Sequence, residues 1–331
     1  MTTTTSPGDS GRTVNTVLGP VPADELGVVA AHEALLSVVP GAEHAPDITI
    51  DRAEVVTELV AQLNAFKAAG GGTVVDASGM FHGRNLPLLE AVSKATGVHI
   101  VASTGMGPEE NLGGYFKTPQ TNPPTPWPAD RFAELFTAEV SQGMVVPRIE
   151  RRAAAGLVVT AGTTGGLTGT DESLLRGAAR TAAATGAPMA FRYGADAVAE
   201  LDLVLAEEVD PARVLVVGLD SKDAAGAAVA VAEKGALVGL TQVGTASDDL
   251  LSDDERADLV VELVQAGHRD RVLVASGAIG VAKGLPRPGT AFEHVLTSFV
   301  PLLAARGLSD ADTTALTTTN PATWLTIQKE A

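Results

Sequence analysis

The chain has 331 residues, 45% of them hydrophobic, and 40 acidic against 23 basic side chains leave it with a formal net charge of −17. That length suits one large α/β barrel or two ordinary domains, and the acidic balance argues against binding nucleic acid or an anionic membrane, both of which need a basic face. There is no cysteine, which removes disulfides, a thiolate nucleophile and cysteine-ligated metal.

The first segment, "MTTTTSPGDSGR", is polar and lacks both the basic and the apolar region of a signal peptide. It reads as a disordered leader over residues 1–12, ahead of a single domain over 13–331. No apolar run approaches the roughly 18 residues of a membrane span, and a cytoplasmic protein is expected. Short apolar runs then recur: "GVVAAH" (27–32), "TVVDAS" (73–78), "HIVAST" (99–104), "GLVVTA" (156–161), "PMAFRY" (188–193), "RVLVVGLD" (213–220), "LVGLTQ" (237–242) and "RVLVASG" (271–277). They are continuous rather than alternating, as parallel strands buried on both faces require.

Helical patterns separate the runs. Residues 51–70 place Val55, Leu59, Leu63 and Phe66 on one face, and the glycines at 70–72 stop the helix. Residues 171–186, 223–235 and 254–267 follow the same plan, the first with Asp171 as the expected cap and Gly186 as its end. Strands alternating with helices predict a (β/α)8 TIM barrel. A doubly wound open sheet is the alternative, but its glycine-rich phosphate turn is missing. One connection, 105–129, is long and rich in Gly, Pro, Asn and Thr. It follows the third strand, at the face where barrel active sites lie, and reads as a lid or pocket wall, with a disordered insertion as the other possibility.

With these elements in place, the sequence resembles the phosphotriesterase family of the amidohydrolase superfamily. The resemblance rests on "TVLGPVPADELGVVAAHEALL", on "GGTVVDASGMFHGRNLPLLEAVSKATGVHIVASTG", and on "RRAAAGLVVTA", "GAARTAAATGAP", "DPARVLVVG", "EKGALVGL" and "TTTNPATWL" in order, over residues 13–327. It implies an amidohydrolase-type barrel holding two divalent metals and hydrolysing phosphotriesters, lactones and related esters or amides. It also implies a homodimer. The family's ligands are a His-x-His on strand 1, a carboxylated lysine on strand 4, histidines ending strands 5 and 6, and an aspartate ending strand 8. Such donors bind Zn-type ions and turn a bridging water into a nucleophile.

In this chain those positions fall on His32 and Ala34, Val159, Arg192, Gly218 and Gly277. One imidazole remains, and Arg192 adds a positive charge where a cation would sit. The expected site therefore holds no metal and no cofactor. Its candidate catalytic residues are His32 as a general base near its pKa, Arg192 as an anion clamp or oxyanion partner, and Asp220, which would orient His32 or neutralise Arg192. The bland reading makes His32 a core histidine and Arg192 the ion-pair partner of Asp220. Glu33 is expected to face the barrel wall. His82, Tyr193, Gln242 and Ser276 are candidate substrate-binding residues, since they end strands or follow one; "HGRN" is otherwise a helix start capped by Asn85. Gly162, Gly165 and Gly166 form either an anion-holding loop or a plain turn.

Three readings follow. The first is a metal-independent hydrolase-like enzyme acting on a small, anionic lactone, ester or amide, or repurposed as a lyase or isomerase. The second is a non-catalytic barrel serving as a binding or oligomeric partner, favoured if apolar side chains around Val159 fill the pocket. The third, a metalloenzyme with a relocated site, ranks last because acids and histidines are sparse at the strand ends.

Overall fold

The structure, a computed structural model, describes residues 12–40, 48–112, 117–118, 125–146, 150–224, 226–287 and 289–327. The expected leader lies, apart from Arg12, outside the described residues, as does part of the long connection at 105–129.

All eight expected strands form, as β1 (Val28–Val38), β2 (Gly71–Asp76), β3 (His99–Met106), β4 (Leu157–Ala161), β5 (Met189–Arg192), β6 (Val214–Val217), β7 (Leu237–Leu240) and β8 (Val272–Val274). A further strand, β9 (Ile279–Lys283), follows β8 directly. The sheet runs β8-β7-β6-β5-β4-β3-β2-β1-β9 with every pairing parallel. Because β8 pairs with β7 and β9 pairs with the second half of β1, the two are halves of one interrupted eighth strand that closes the barrel. The break at 275–278 was not legible as such: "IGVAK" is short, and Gly277 at φ +61° turns the chain out of extended geometry.

Helices alternate with these strands: α1 (Arg52–Ala68), α2 (Leu86–Thr96), α3 (Ala129–Gln142), α4 (Gly169–Thr185), α5 (Ala197–Leu205), α6 (Ala227–Glu233) and α7 (Asp253–Gln265). Helix α1 is capped by Asp51 and buries Val55, Leu59, Leu63 and Phe66, the face its periodicity predicts. Helix α2 starts at Asn85, whose side chain accepts from the Leu88 amide. The cap of α4 is Thr168 rather than Asp171; Asp171 is the third helical residue of a capping box and its carboxylate accepts from the Thr168 amide.

Two apolar layers result. Val29, Ala31, Val75, Val101, Leu157 and Leu215 fill the barrel interior, joined by Trp324 and Leu325 of the C-terminal helix and Val14 of the N-terminal hairpin. Trp324 donates through Nε1 to the Arg213 carbonyl (3.0 Å), and Thr13 bridges Ile327, so the hairpin (Thr13–Thr16 with Gly19–Pro22) and the C-terminal helix (Asn320–Leu325) plug one end together. A larger layer packs helices on the outer strand faces. The C-terminal strand ends are left as the open mouth. No described helix is long and apolar enough to cross a membrane.

Candidate functional site

The mouth of the barrel holds a cavity of about 720 Å³. Its wall is built from the ends of β1 to β7 and the loops behind them, and its floor includes Val159, Ala190 and Val217. It is open, so apolar side chains around Val159 do not fill it. Five sequence candidates, His32, His82, Arg192, Tyr193 and Gln242, line this one space.

His32 reaches the cavity through an irregularity in β1. Pairing with β2 slips between Ala30 and Glu33. Ala31 is buried in the barrel interior, and His32, one residue later, also faces inward at the cavity. A bulge re-aims a side chain in this way. Burial pushes the His32 pKa down to about 4, opposed by a hydrogen bond with its own backbone and reinforced by the charge of Arg192. This corrects the expectation of a base near its pKa at neutral pH: the ring is neutral under ordinary conditions and a weak base.

Arg192 ends β5 with its side chain exposed to the cavity. Its guanidinium makes no ion pair with any described residue. The expected partner, Asp220, is fully buried and engaged elsewhere: Arg256 Nε lies 3.1 Å from its Oδ2, which also accepts from the Gln242 amide at 2.8 Å. Asp220 neither orients His32 nor neutralises Arg192, and it does not line the cavity. Arg256 is itself saturated by Asp220, Asp253 (2.7 Å) and the Thr245 carbonyl, and Asp253 contacts His294 at 3.2 Å.

Ser276 is corrected likewise. It is buried, and both its amide and its hydroxyl donate to Glu33, at 3.0 and 3.1 Å, while Ala278 N–H donates to the same carboxylate. Glu33 thus clamps the break between β8 and β9 from the wall. Burial pushes its pKa up to about 8, against the pull of those donors. The glycine loop after β4 offers no free anion cradle. The Thr163 amide donates to Asp171, Gly165 N–H to the Gly194 carbonyl and Gly166 N–H to the Thr163 carbonyl. It is a turn, and only Thr164 of it reaches the cavity. Of the long connection, Met106 and Gly107 form wall, and His82 Nε2 donates to the Gly107 carbonyl at 3.1 Å.

Sequence reasoning missed the loops after β6 and β7. Ser221, Lys222 and Asp223 line the cavity, as do Asp248, Asp249 and Leu250 across from them. The Tyr193 hydroxyl lies 2.5 Å from Ser221 Oγ, which donates to Asp223 Oδ1 at 2.5 Å. Burial, together with the charges of Asp223 and Asp220, holds the Tyr193 phenol above its ordinary range. The run "LDSKD" carries a serine between two acids just past a strand, the one signal that pointed there.

The positions that would hold a metal pair do not fit one. Val159 offers no donor, and Arg192 brings a fixed cation. Gly277 has its Cβ direction closed by the Thr241 carbonyl at 2.5 Å and the Gln242 side chain at 2.9 Å, so this backbone has no room for an aspartate there. Gly218, at φ +86°, opens instead onto Tyr193 and Arg192, 3.7 and 3.8 Å from where a Cβ would stand. Among the described residues no group of three or more His, Cys, Asp or Glu is arranged to hold a metal ion.

The fold and the mouth define a (β/α)8 barrel with its binding cavity at the C-terminal strand ends. A sequence model of the phosphotriesterase family matches residues 12–325, and the chain belongs to that family. A phosphotriesterase homology protein of Mycobacterium tuberculosis is 26% identical over 320 residues, which cover 93% of this chain and 96% of that protein. The N-acetyltaurine hydrolase of Danio rerio is 24% identical, over 95% of this chain and 98% of its own. A point mutant of the organophosphorus hydrolase from Deinococcus radiodurans superposes with a TM-score of 0.86 at 25% identity, covering 97% of this chain and 99% of that one.

Proposed function

We propose that this chain is a hydrolase-like enzyme that acts, without the family's metal pair, on a small anionic ester, lactone or amide. The observation that carries the reading is Arg192: an exposed guanidinium, without an ion pair among the described residues, facing a cavity of about 720 Å³ where the family places a metal-binding imidazole. A guanidinium holds a carboxylate, sulfonate or phosphate through two parallel N–H donors. The cavity carries Arg192 and Lys222 beside Asp223, Asp248 and Asp249, so an anion would be drawn to the guanidinium itself rather than to the charge of the cavity as a whole. The name of the zebrafish relative describes hydrolysis of an acylated aminosulfonate, an amide carrying such an anion.

In this reading Arg192 orients the anionic end, or the carbonyl oxygen, of the substrate. Neutral His32 supplies a hydrogen bond without competing for the charge. His82, Gln242 and Tyr193 shape the remaining wall. The test is turnover of δ-valerolactone, N-acetyltaurine and paraoxon by protein dialysed against chelator, alongside calorimetric binding of N-acetyltaurine. Turnover that survives chelation is expected for at least one probe. Activity that appears only on adding zinc or manganese sinks metal independence, and binding without turnover of any probe turns the reading to the non-catalytic barrel.

A further inference from the structure

We propose that Tyr193, Ser221 and Asp223 form a proton relay that serves as the base for the attacking water, an inference that rests on the hydrolytic reading above. The chain of contacts is short and directional. Ser221 Oγ lies 2.5 Å from Asp223 Oδ1 and 2.5 Å from the Tyr193 hydroxyl. A serine hydroxyl has one proton, and Asp223 can only accept, so Ser221 donates to Asp223 and its lone pair receives the Tyr193 proton. The hydroxyls then point the same way, from the cavity towards an exposed carboxylate. The Gly218 carbonyl, 3.2 Å from the phenol oxygen, is a second and more distant acceptor for the same phenol proton, which the closer Ser221 Oγ at 2.5 Å takes in this arrangement.

All three residues line the cavity that contains Arg192. Gly218, at φ +86°, faces the same space, with the Tyr193 ring and the Arg192 stem 3.7 and 3.8 Å from where a Cβ would stand. Tyr193 follows Arg192 in the chain and lines the same cavity, so a substrate held by Arg192 shares that space with the phenol.

The step balances without a further reactant. The water oxygen forms a bond to the carbonyl carbon, and the carbonyl π pair moves onto its oxygen. The proton leaving the water passes to the Tyr193 oxygen, the original Tyr193 proton passes to Ser221 Oγ, and the original Ser221 proton passes to the Asp223 carboxylate. Tyrosine and serine end as they began, and one proton has moved from water to Asp223. When the tetrahedral species collapses, the bond to the leaving oxygen or nitrogen breaks, and the same chain returns that proton to it. Tyr193 touches the reacting atoms; Ser221 and Asp223 act through it.

The experiment measures kcat and KM on whichever of δ-valerolactone, N-acetyltaurine and paraoxon the wild-type protein hydrolyses. General acid–base catalysis contributes roughly 10²–10⁴-fold, so Tyr193→Phe should lower kcat by about a hundredfold or more with KM nearly unchanged. Ser221→Ala should fall with it. Asp223 is exposed, so its loss should leave the fold intact; Asp223→Gly should lose most of its rate and regain it in a saturable manner with added formate or acetate. Rescue reports a missing proton acceptor, which a structural role would not show. Wild-type activity with all three variants within about twofold overturns the relay while leaving the hydrolytic reading in place, and so does an Asp223→Gly variant that formate and acetate fail to restore. A wild-type protein inactive on every probe sinks the hydrolytic reading and the relay with it.

Discussion

Two rings of polar residues surround the barrel mouth, and they use the same chemistry in opposite ways. In the outer ring each carboxylate is buried and held by donors from the protein itself. Glu33 holds the break in the eighth strand, and Asp76 accepts from the Leu35 and Ser78 amides at 2.8 and 3.2 Å. Asp171 accepts from the Glu109, Thr163 and Thr168 amides. Glu200 accepts from Gly194, Ala195 and Asp196, and Asp220 joins the Gln242 amide to Arg256. Glu33, Asp76, Asp171 and Asp220 tie the ends of neighbouring strands together, and Glu200 fixes the loop ahead of its own helix. In the inner ring Arg192, His32 and the Tyr193–Ser221–Asp223 chain face the cavity with capacity to spare. A buried polar group is tolerated when its partners are inside the protein, whereas one facing a cavity can take its partner from a ligand. The contrast is sharpest between two arginines: Arg256, enclosed among carboxylates, and Arg192, which makes no ion pair with any described residue and faces a cavity that Lys222, Asp223, Asp248 and Asp249 also line.

The largest test of this contrast is Arg256→Met. It leaves Asp220 buried without its counter-charge, and the expected loss is about 3–5 kcal/mol of folding stability by urea denaturation. A loss below about 1 kcal/mol would mean that the outer ring is not what holds the loops. Arg192→Met should do the reverse. Stability is expected to stay within about 0.5 kcal/mol of wild type. Affinity for N-acetyltaurine should fall by about 1.5–3 kcal/mol, which is roughly ten- to hundredfold. A variant with unchanged affinity and a lowered melting temperature would move Arg192 into the structural ring.

His32 and Glu33 divide the rings within one dipeptide, and pH separates them. Glu33 has a folded-state pKa near 8, above its unfolded value, so the folded chain keeps a proton that the unfolded chain has lost. Its contribution is complete below about pH 4.5 and disappears as pH rises towards 8. His32 has a folded-state pKa near 4, below its unfolded value, so its contribution is present above about pH 6.5 and is lost as pH falls towards 4. Each slope is at most about 1.4 kcal/mol per pH unit. Melting temperatures from pH 4 to 9 should decline less on the alkaline side in Glu33→Gln, and less on the acidic side in His32→Asn. If both variants keep the wild-type profile, neither group titrates as its surroundings dictate.

The smallest expected effect is at Thr168. Thr168→Ala removes one cap, worth about 1 kcal/mol in thermal denaturation. Asp171 keeps its amide donors from Glu109 and Thr163, so the cavity wall and ligand affinity should not change. A changed affinity would show that the outer ring shapes the inner one through this cap.

Much of the molecule was legible beforehand because local patterns report burial. Continuous apolar runs marked all eight barrel strands, and the spacing of Val55, Leu59, Leu63 and Phe66 marked the buried face of α1 before any contact was known. Strand ends of a barrel converge on one face by topology alone, which is why His32, Arg192, Tyr193 and Gln242 could be named together from positions far apart in the chain. Ser276 and Asp220 sit at equivalent places and still turn away from the cavity, because a strand end fixes where a residue is and not which neighbour takes its hydrogen bonds.

The sequence by itself determined the family, the alternation of strands and helices, and which residue types stand where metal ligands would be, since these depend on residue identity and on periods of a few positions. Only the tertiary structure decided who pairs with whom. The bulge that turns His32 to the cavity, the break that Glu33 clamps, the burial that sets their pKa values apart, and the loops that bring Ser221 and Asp223 to Tyr193 all depend on contacts between segments distant in sequence. A hydrogen bond or a lost hydration shell is a property of such contacts, and no single stretch of chain carries it.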